Sequence, residues 1–106
     1  MSAAAIGGTR MSKITFIARM TVKPGCEAEF IGYCKELERH VRAHEPGVLA
    51  YEFFKLREAN RYAVLESFPD HATEEQHMKS AKLAEVAPKI AACLDGSWVR
   101  EYFDSL

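Results

Sequence analysis

The stretch Val64–Ser80, VLESFPDHATEEQHMKS, sets a carboxylate, Glu66, inside an apolar run and follows it with an imidazole, His77. A carboxyl taken out of water has a raised pKa and can hold a proton or orient one. Imidazole exchanges protons near neutral pH. Facing one pocket, Glu66 and His77 would make a general-base pair able to withdraw a proton from a bound small molecule. The alternative is structural. Glu66 would then pair with a cross-strand cation such as Arg19, and His77 would be a solvated helix residue, as polar Thr73 and Glu74 one turn earlier suggest.

Three more residues have a double reading. Tyr51 is either a core aromatic or a hydrogen-bond donor to a substrate oxygen. Arg19 either neutralises an anionic substrate or pairs with a strand carboxylate. Phe68 shares strand parity with Glu66 and is a candidate substrate contact. Glu36, His40 and His44 share helical spacing, but Leu37 and Val41 define the buried stripe, which turns that trio toward solvent without a fixed third ligand. No metal is expected there. Nothing resembles a phosphate loop, a nucleophile elbow or a dinucleotide fingerprint.

The elements that must carry these residues follow from periodicity. Lys13–Lys23 alternates as a strand, with Ile14, Phe16, Ala18, Met20 and Val22 on one face and Thr15, Ile17, Arg19 and Thr21 on the other. Pro24-Gly25 ends it. Glu27 to His44 is a helix with Phe30, Cys34, Leu37 and Val41 in one stripe. Val48–Arg57 and Arg61–Phe68 form a hairpin about Glu58-Ala59-Asn60. Asp70 is an N-cap for helical material that Pro88 is expected to divide into a helix holding His77 and another holding Val86, Ile90, Cys93 and Leu94. Asp95-Gly96 marks a helix end, and Trp98–Phe103 is the fourth strand.

The order β-α-β-β-α-β predicts an α+β, ferredoxin-like fold: a four-stranded antiparallel sheet with helices on one face. The strands are apolar on both parities, so the second face is expected to pack against another copy, giving a homodimer built sheet to sheet.

The bulk composition narrows the class. The chain has 106 residues, 48% hydrophobic and 27% charged, with a net charge of −1. That length suits one domain, over residues 11–106, and MSAAAIGGTR at 1–10 reads as a disordered leader. Without a basic excess no nucleic-acid partner is expected. Without an apolar run near ~18 residues no membrane partner is expected either. Cys26, Cys34 and Cys93 form no CxxC pair, which fits reduced thiols and a cytoplasmic location.

V-K-P-G after the first strand, E-P-G-V-L-x-Y-E into the second, and R-Y-x-V-L-E-S-F-x-D-x-A-x-x-x-x-H-x-x-S together resemble the antibiotic biosynthesis monooxygenase domain family. The resemblance runs from about Lys13 to Phe103. It implies a dimeric α+β barrel with a pocket between sheet and helices in each subunit. Many members oxidise or rearrange small oxygenated or polycyclic compounds, several without metal or flavin. Others isomerise a phosphorylated sugar, degrade haem, or have no assigned reaction. Where haem-degrading members carry Asn, Trp and an axial His, this chain has Ala18, Phe68 and about Ala87, so the iron ligand is missing. Many relatives read H-x-x-S-P-H; here HMKSAK keeps His77 and puts Lys82 in place of the second His.

The expectation is an enzyme that uses no cofactor and acts on a small enolisable or phenolic compound. His77 and Glu66 would be catalytic, and Tyr51, Phe68 and Arg19 substrate-binding. An isomerase using the same proton transfer, or a dimeric binding protein without chemistry, are the alternatives.

Overall fold

The computed structural model describes residues 13–106, so the expected leader at 1–10 lies outside the described residues. The element order is β1 (Ile14–Thr21), α1 (Glu27–His44), β2 (Ala50–Lys55), β3 (Arg61–Phe68), α2 (His71–Met78), α3 (Ala81–Ala92) and β4 (Val99–Phe103). The strands make one antiparallel sheet in the order β2-β3-β1-β4. This is the ferredoxin-like α+β arrangement.

Strict alternation along β1 fixes which face the helices cover. Phe16, Ala18, Met20 and Val22 are buried, and the intervening residues are not. Register across β1 and β3 sets Phe16 beside Glu66, Ala18 beside Val64 and Met20 beside Tyr62. All these side chains therefore point to the same side of the sheet. Helix α1 lays its stripe of Phe30, Cys34, Leu37 and Val41 on that side, and α3 adds Val86 and Ile90. Each large apolar side chain so buried contributes about 1.5–3 kcal/mol against the chain entropy. The hairpin between β2 and β3 turns through Asn60 at φ 62, a left-handed conformation that Asn tolerates better than most residues.

The helical region after β3 divides earlier than expected. The break lies at Lys79-Ser80, and Pro88 sits inside α3. Two side-chain caps decide this. Asp70 accepts the Thr73 N–H at 2.8 Å, and Ser80 accepts the Leu83 N–H at 3.1 Å. Each cap satisfies donors that a helix start leaves open. Pro88 forfeits only the bond to the Ala84 carbonyl, a loss α3 absorbs as it packs on α1. As a result His77 stands in the last turn of a separate two-turn helix.

The other sheet face carries Ile17, Ala63 and Leu65 in its middle, with half-exposed Phe54, Val99 and Phe103 toward its edges. No helix among the described residues covers it.

Candidate active site

Glu66 stands on β3, an interior strand, between Phe16 of β1 and Tyr51 of β2. Its side chain points under the helices and is 7% exposed. Burial pushes its carboxyl up to about 7, against a smaller opposing pull from the Arg100 guanidinium and a further push from the charges of Glu74 and Glu45. Near neutral pH this group is therefore present both with and without its proton. Among the described residues, its Oε1 is buried without a hydrogen-bond partner.

His77 faces that oxygen. Its Nε2 lies 3.6 Å from Glu66 Oε1, just beyond hydrogen-bond range. The imidazole is 2% exposed, with the Tyr51 ring 5.0 Å and the Phe68 ring 5.5 Å from its centroid. It is not a solvated helix residue. Its Nδ1 meets Oε1 of Glu45 at 2.7 Å. An ionised carboxylate can only accept, so Nδ1 is the donor there, and Nε2 is the nitrogen left to take or give a proton on the Glu66 side.

Glu45 is the residue that ends α1. Its backbone N–H returns to the Val41 carbonyl, and Pro46-Gly47 then turns the chain toward β2. The stop of α1 thus delivers a carboxylate against α2. The outcome is a row, Glu45–His77–Glu66, running from loop to helix to sheet.

The His77–Glu66 end of the row opens on a cavity of about 440 Å³ between sheet and helices. Ala18, Met20 and Val64 floor it, Leu83 and Ile90 wall it from α3, and Trp98 and Arg100 stand at its β4 side. Tyr51 lines it too, and burial followed by the charge of Glu66 pushes its phenol upward. That hydroxyl stays protonated and can donate. The lining is otherwise apolar, so charges inside it act through a medium less screening than water.

The profile of the antibiotic biosynthesis monooxygenase family matches residues 13–89, a span that runs from the start of β1 into α3. The chain belongs to that family. A Caulobacter crescentus protein assigned to the antibiotic biosynthesis monooxygenases is 27% identical and superposes with TM-score 0.86, over 91% of this chain and 92% of the other. A conserved protein of Methanosarcina mazei is also 27% identical, with TM-score 0.81 over 91% and 95% of the two chains. SnoaB, a cofactor-independent oxygenase of Streptomyces nogalater solved as its N63A mutant, shares the fold at 21% identity, with TM-score 0.75 over 89% and 93%. No curated protein matches this chain by sequence.

Within this antibiotic biosynthesis monooxygenase domain, the structure brings Glu66, His77 and Tyr51 to one cavity and leaves two expected contacts outside it. Arg19 points to the opposite sheet face, where its guanidinium pairs with Glu101 at 2.6 Å. It can neither reach the cavity nor serve as the partner of Glu66, because the two belong to opposite parities of paired strands. Phe68 is fully buried beneath His77 and Phe16, so it supports the imidazole rather than touching a ligand. The His40 and His44 rings lie 4.7 Å apart, but Glu36 does not join them. Glu36 pairs with Lys82 at 2.6 Å, and His40 leans toward Glu45 at 4.0 Å. Lys82, at the position where the resemblance implies a second His, is thereby spent on holding α3 to α1. Ala18 and Ala87, at the positions expected to carry Asn and His in haem-degrading members, both line the cavity and offer no ligand atom.

Glu45, Trp98 and Arg100 were not anticipated from sequence. Glu45 is separated from His77 by 32 residues, and no local spacing links them. Trp98 and Arg100 share strand parity, a signal that was present but unassigned.

Proposed function

We propose that this domain is a cofactor-independent monooxygenase acting on a small enolisable or phenolic compound in the cavity between sheet and helices. The observation that carries the reading is the Glu45–His77–Glu66 row, in which one imidazole nitrogen is anchored and the other faces a carboxyl that titrates near neutral pH. The likeness to SnoaB supports the oxygenase class through fold alone.

In this mechanism His77 Nε2 removes the acidic proton of the substrate, Glu45 stabilises the imidazolium that forms, and Glu66 supplies or accepts the second proton. Tyr51 donates to the substrate oxygen as negative charge builds there. The electron-rich anion passes one electron to O2 and recombines with it, forming a carbon–oxygen bond to a peroxide. Loss of the remaining proton from that carbon, with cleavage of the O–O bond, leaves a carbonyl and releases water. One oxygen atom enters the product, and the substrate carbon is the reductant. The apolar lining keeps water from the anion until oxygen arrives.

A second reading is an isomerase. The row moves protons, and nothing in it selects oxygen. An oxygen electrode separates the two on a panel of naphthols and hydroxynaphthoates. The monooxygenase reading expects one O2 consumed per quinone formed; product formed without oxygen uptake favours the isomerase.

A further inference from the structure

β4 is an edge strand with every residue exposed, yet its inward parity overhangs the candidate site. Register sets Arg100 beside Ala18 and Tyr102 beside Phe16. Arg100 lies 4.9 Å over the Phe16 ring, which holds the guanidinium along the cavity side of the sheet. Among the described residues it is the one Lys or Arg lining the cavity, and no carboxylate there pairs with it. Arg19, its neighbour on the other face of the same strand pair, is paired with Glu101. The contrast marks Arg100 as a charge kept free beside an apolar chamber. Glu66 feels this charge across β1, but it forms no ion pair with Arg100.

Between the two ends lies an open floor. Glu66 is on β3 and Arg100 on β4, with β1 between them. Two inter-strand steps of ~4.8 Å separate their strands by about 10 Å. The β1 residue opposite Arg100 and Val64 is Ala18, whose methyl leaves the space above it unfilled. Trp98, on the same β4 side, gives a flat ring a surface to lie against.

We infer that Arg100 and Trp98 form an anion-recognising subsite, and that the substrate is a flat, mainly apolar ring compound with an ionised acid group, held by Arg100 while His77 works at its other end. This rests on the proton-transfer reading for the far end only; the subsite itself is a statement about binding. An Arg fork matches a carboxylate in two parallel hydrogen bonds, which fixes the ring's direction in the cavity as well as its affinity.

Calorimetric titration of the full chain with 2-naphthoate and with its neutral analogue 2-naphthamide tests the subsite. Trp98 is the only tryptophan in the sequence, so its emission independently reports occupancy of the cavity. The wild type should bind naphthoate at least tenfold more tightly than naphthamide, with both ligands changing Trp98 emission. Arg100→Gln, a change at an exposed position, should leave the melting temperature unchanged and bring the two affinities together. Ala18→Leu, which fills the floor, should weaken both ligands at least tenfold. The proposal is overturned if the wild type binds the two equally or binds neither. It is also overturned if Arg100→Gln keeps the preference, or if Ala18→Leu leaves binding intact. Binding requires neither oxygen nor turnover, so failure here leaves the base assignment standing, and failure of the oxygen assay leaves the subsite standing.

Discussion

Glu66 is a residue whose environment works against its charge. Its folded pKa, about 7, lies above the 4.5 of an ordinary glutamate, with burial as the main cause. The folded state therefore binds the proton more tightly than the unfolded chain. Stability from this group is fully present below about pH 4.5 and is lost as pH rises to about 7, then stays level. Glu66→Gln keeps the shape and removes the ionisation. The variant should gain stability over wild type at pH 8 by up to about 3 kcal/mol and gain nothing at pH 4.5. Thermal melts at the two pH values check this; an equal effect at both would show that the carboxyl is not desolvated. His77 is a different case. Its burial against Tyr51 and Phe68 makes it a packing residue as well as a base, so Asn is a better probe of its chemistry than Ala. That Glu66 shares a parity with Tyr62, Val64 and Phe68 was legible, but β3 is apolar on both faces, so the strand alone did not show which parity meets the helices. That Arg19 faces the other way was legible too, once Phe16 and Ala18 mark the covered face. The Glu45 contact was not, because a pairing between a helix end and a helix 32 residues later has no periodic signature.

Elements set the position of the imidazole. The strands and α1 came through from sequence with small errors at their ends, since parity and a single apolar stripe are strong signals. The division between α2 and α3 differs from expectation because Pro88 stands inside α3, whose packing on α1 absorbs the lost bond, while the Ser80 cap sets where α3 begins. Ser80 is the residue that starts α3 and so lets α2 stop at Met78. Ser80→Ala should cost about 1 kcal/mol of stability by leaving the Leu83 N–H unsatisfied, while Ser80→Asp should restore it. Denaturant midpoints read the difference, and no loss in the alanine variant would mean that the break is held by packing alone.

For the whole molecule, the sheet presents two covered faces' worth of apolar residues and covers only one. Ile17, Leu65, Phe54 and Val99 on the outer face would be an adhesive patch in a lone subunit. The expected solution is a homodimer joined across that face. Sedimentation at micromolar concentration should give twice the chain mass, and Leu65→Asp should shift it to one. A stable, well-folded wild-type monomer would contradict the sheet-to-sheet arrangement. No helix among the described residues is long and apolar enough to cross a membrane.

The proton transfer itself is open to direct measurement without oxygen and without an acid group on the ligand. In anaerobic D2O, the protein should catalyse deuterium entry at C1 of 2-tetralone, an enolisable two-ring ketone that fits an apolar cavity of this size. A positioned base commonly contributes 10²–10⁴-fold, so His77→Asn should slow the exchange by at least about 100-fold. Exchange that survives in His77→Asn would contradict the assignment of the base and, with it, the mechanism.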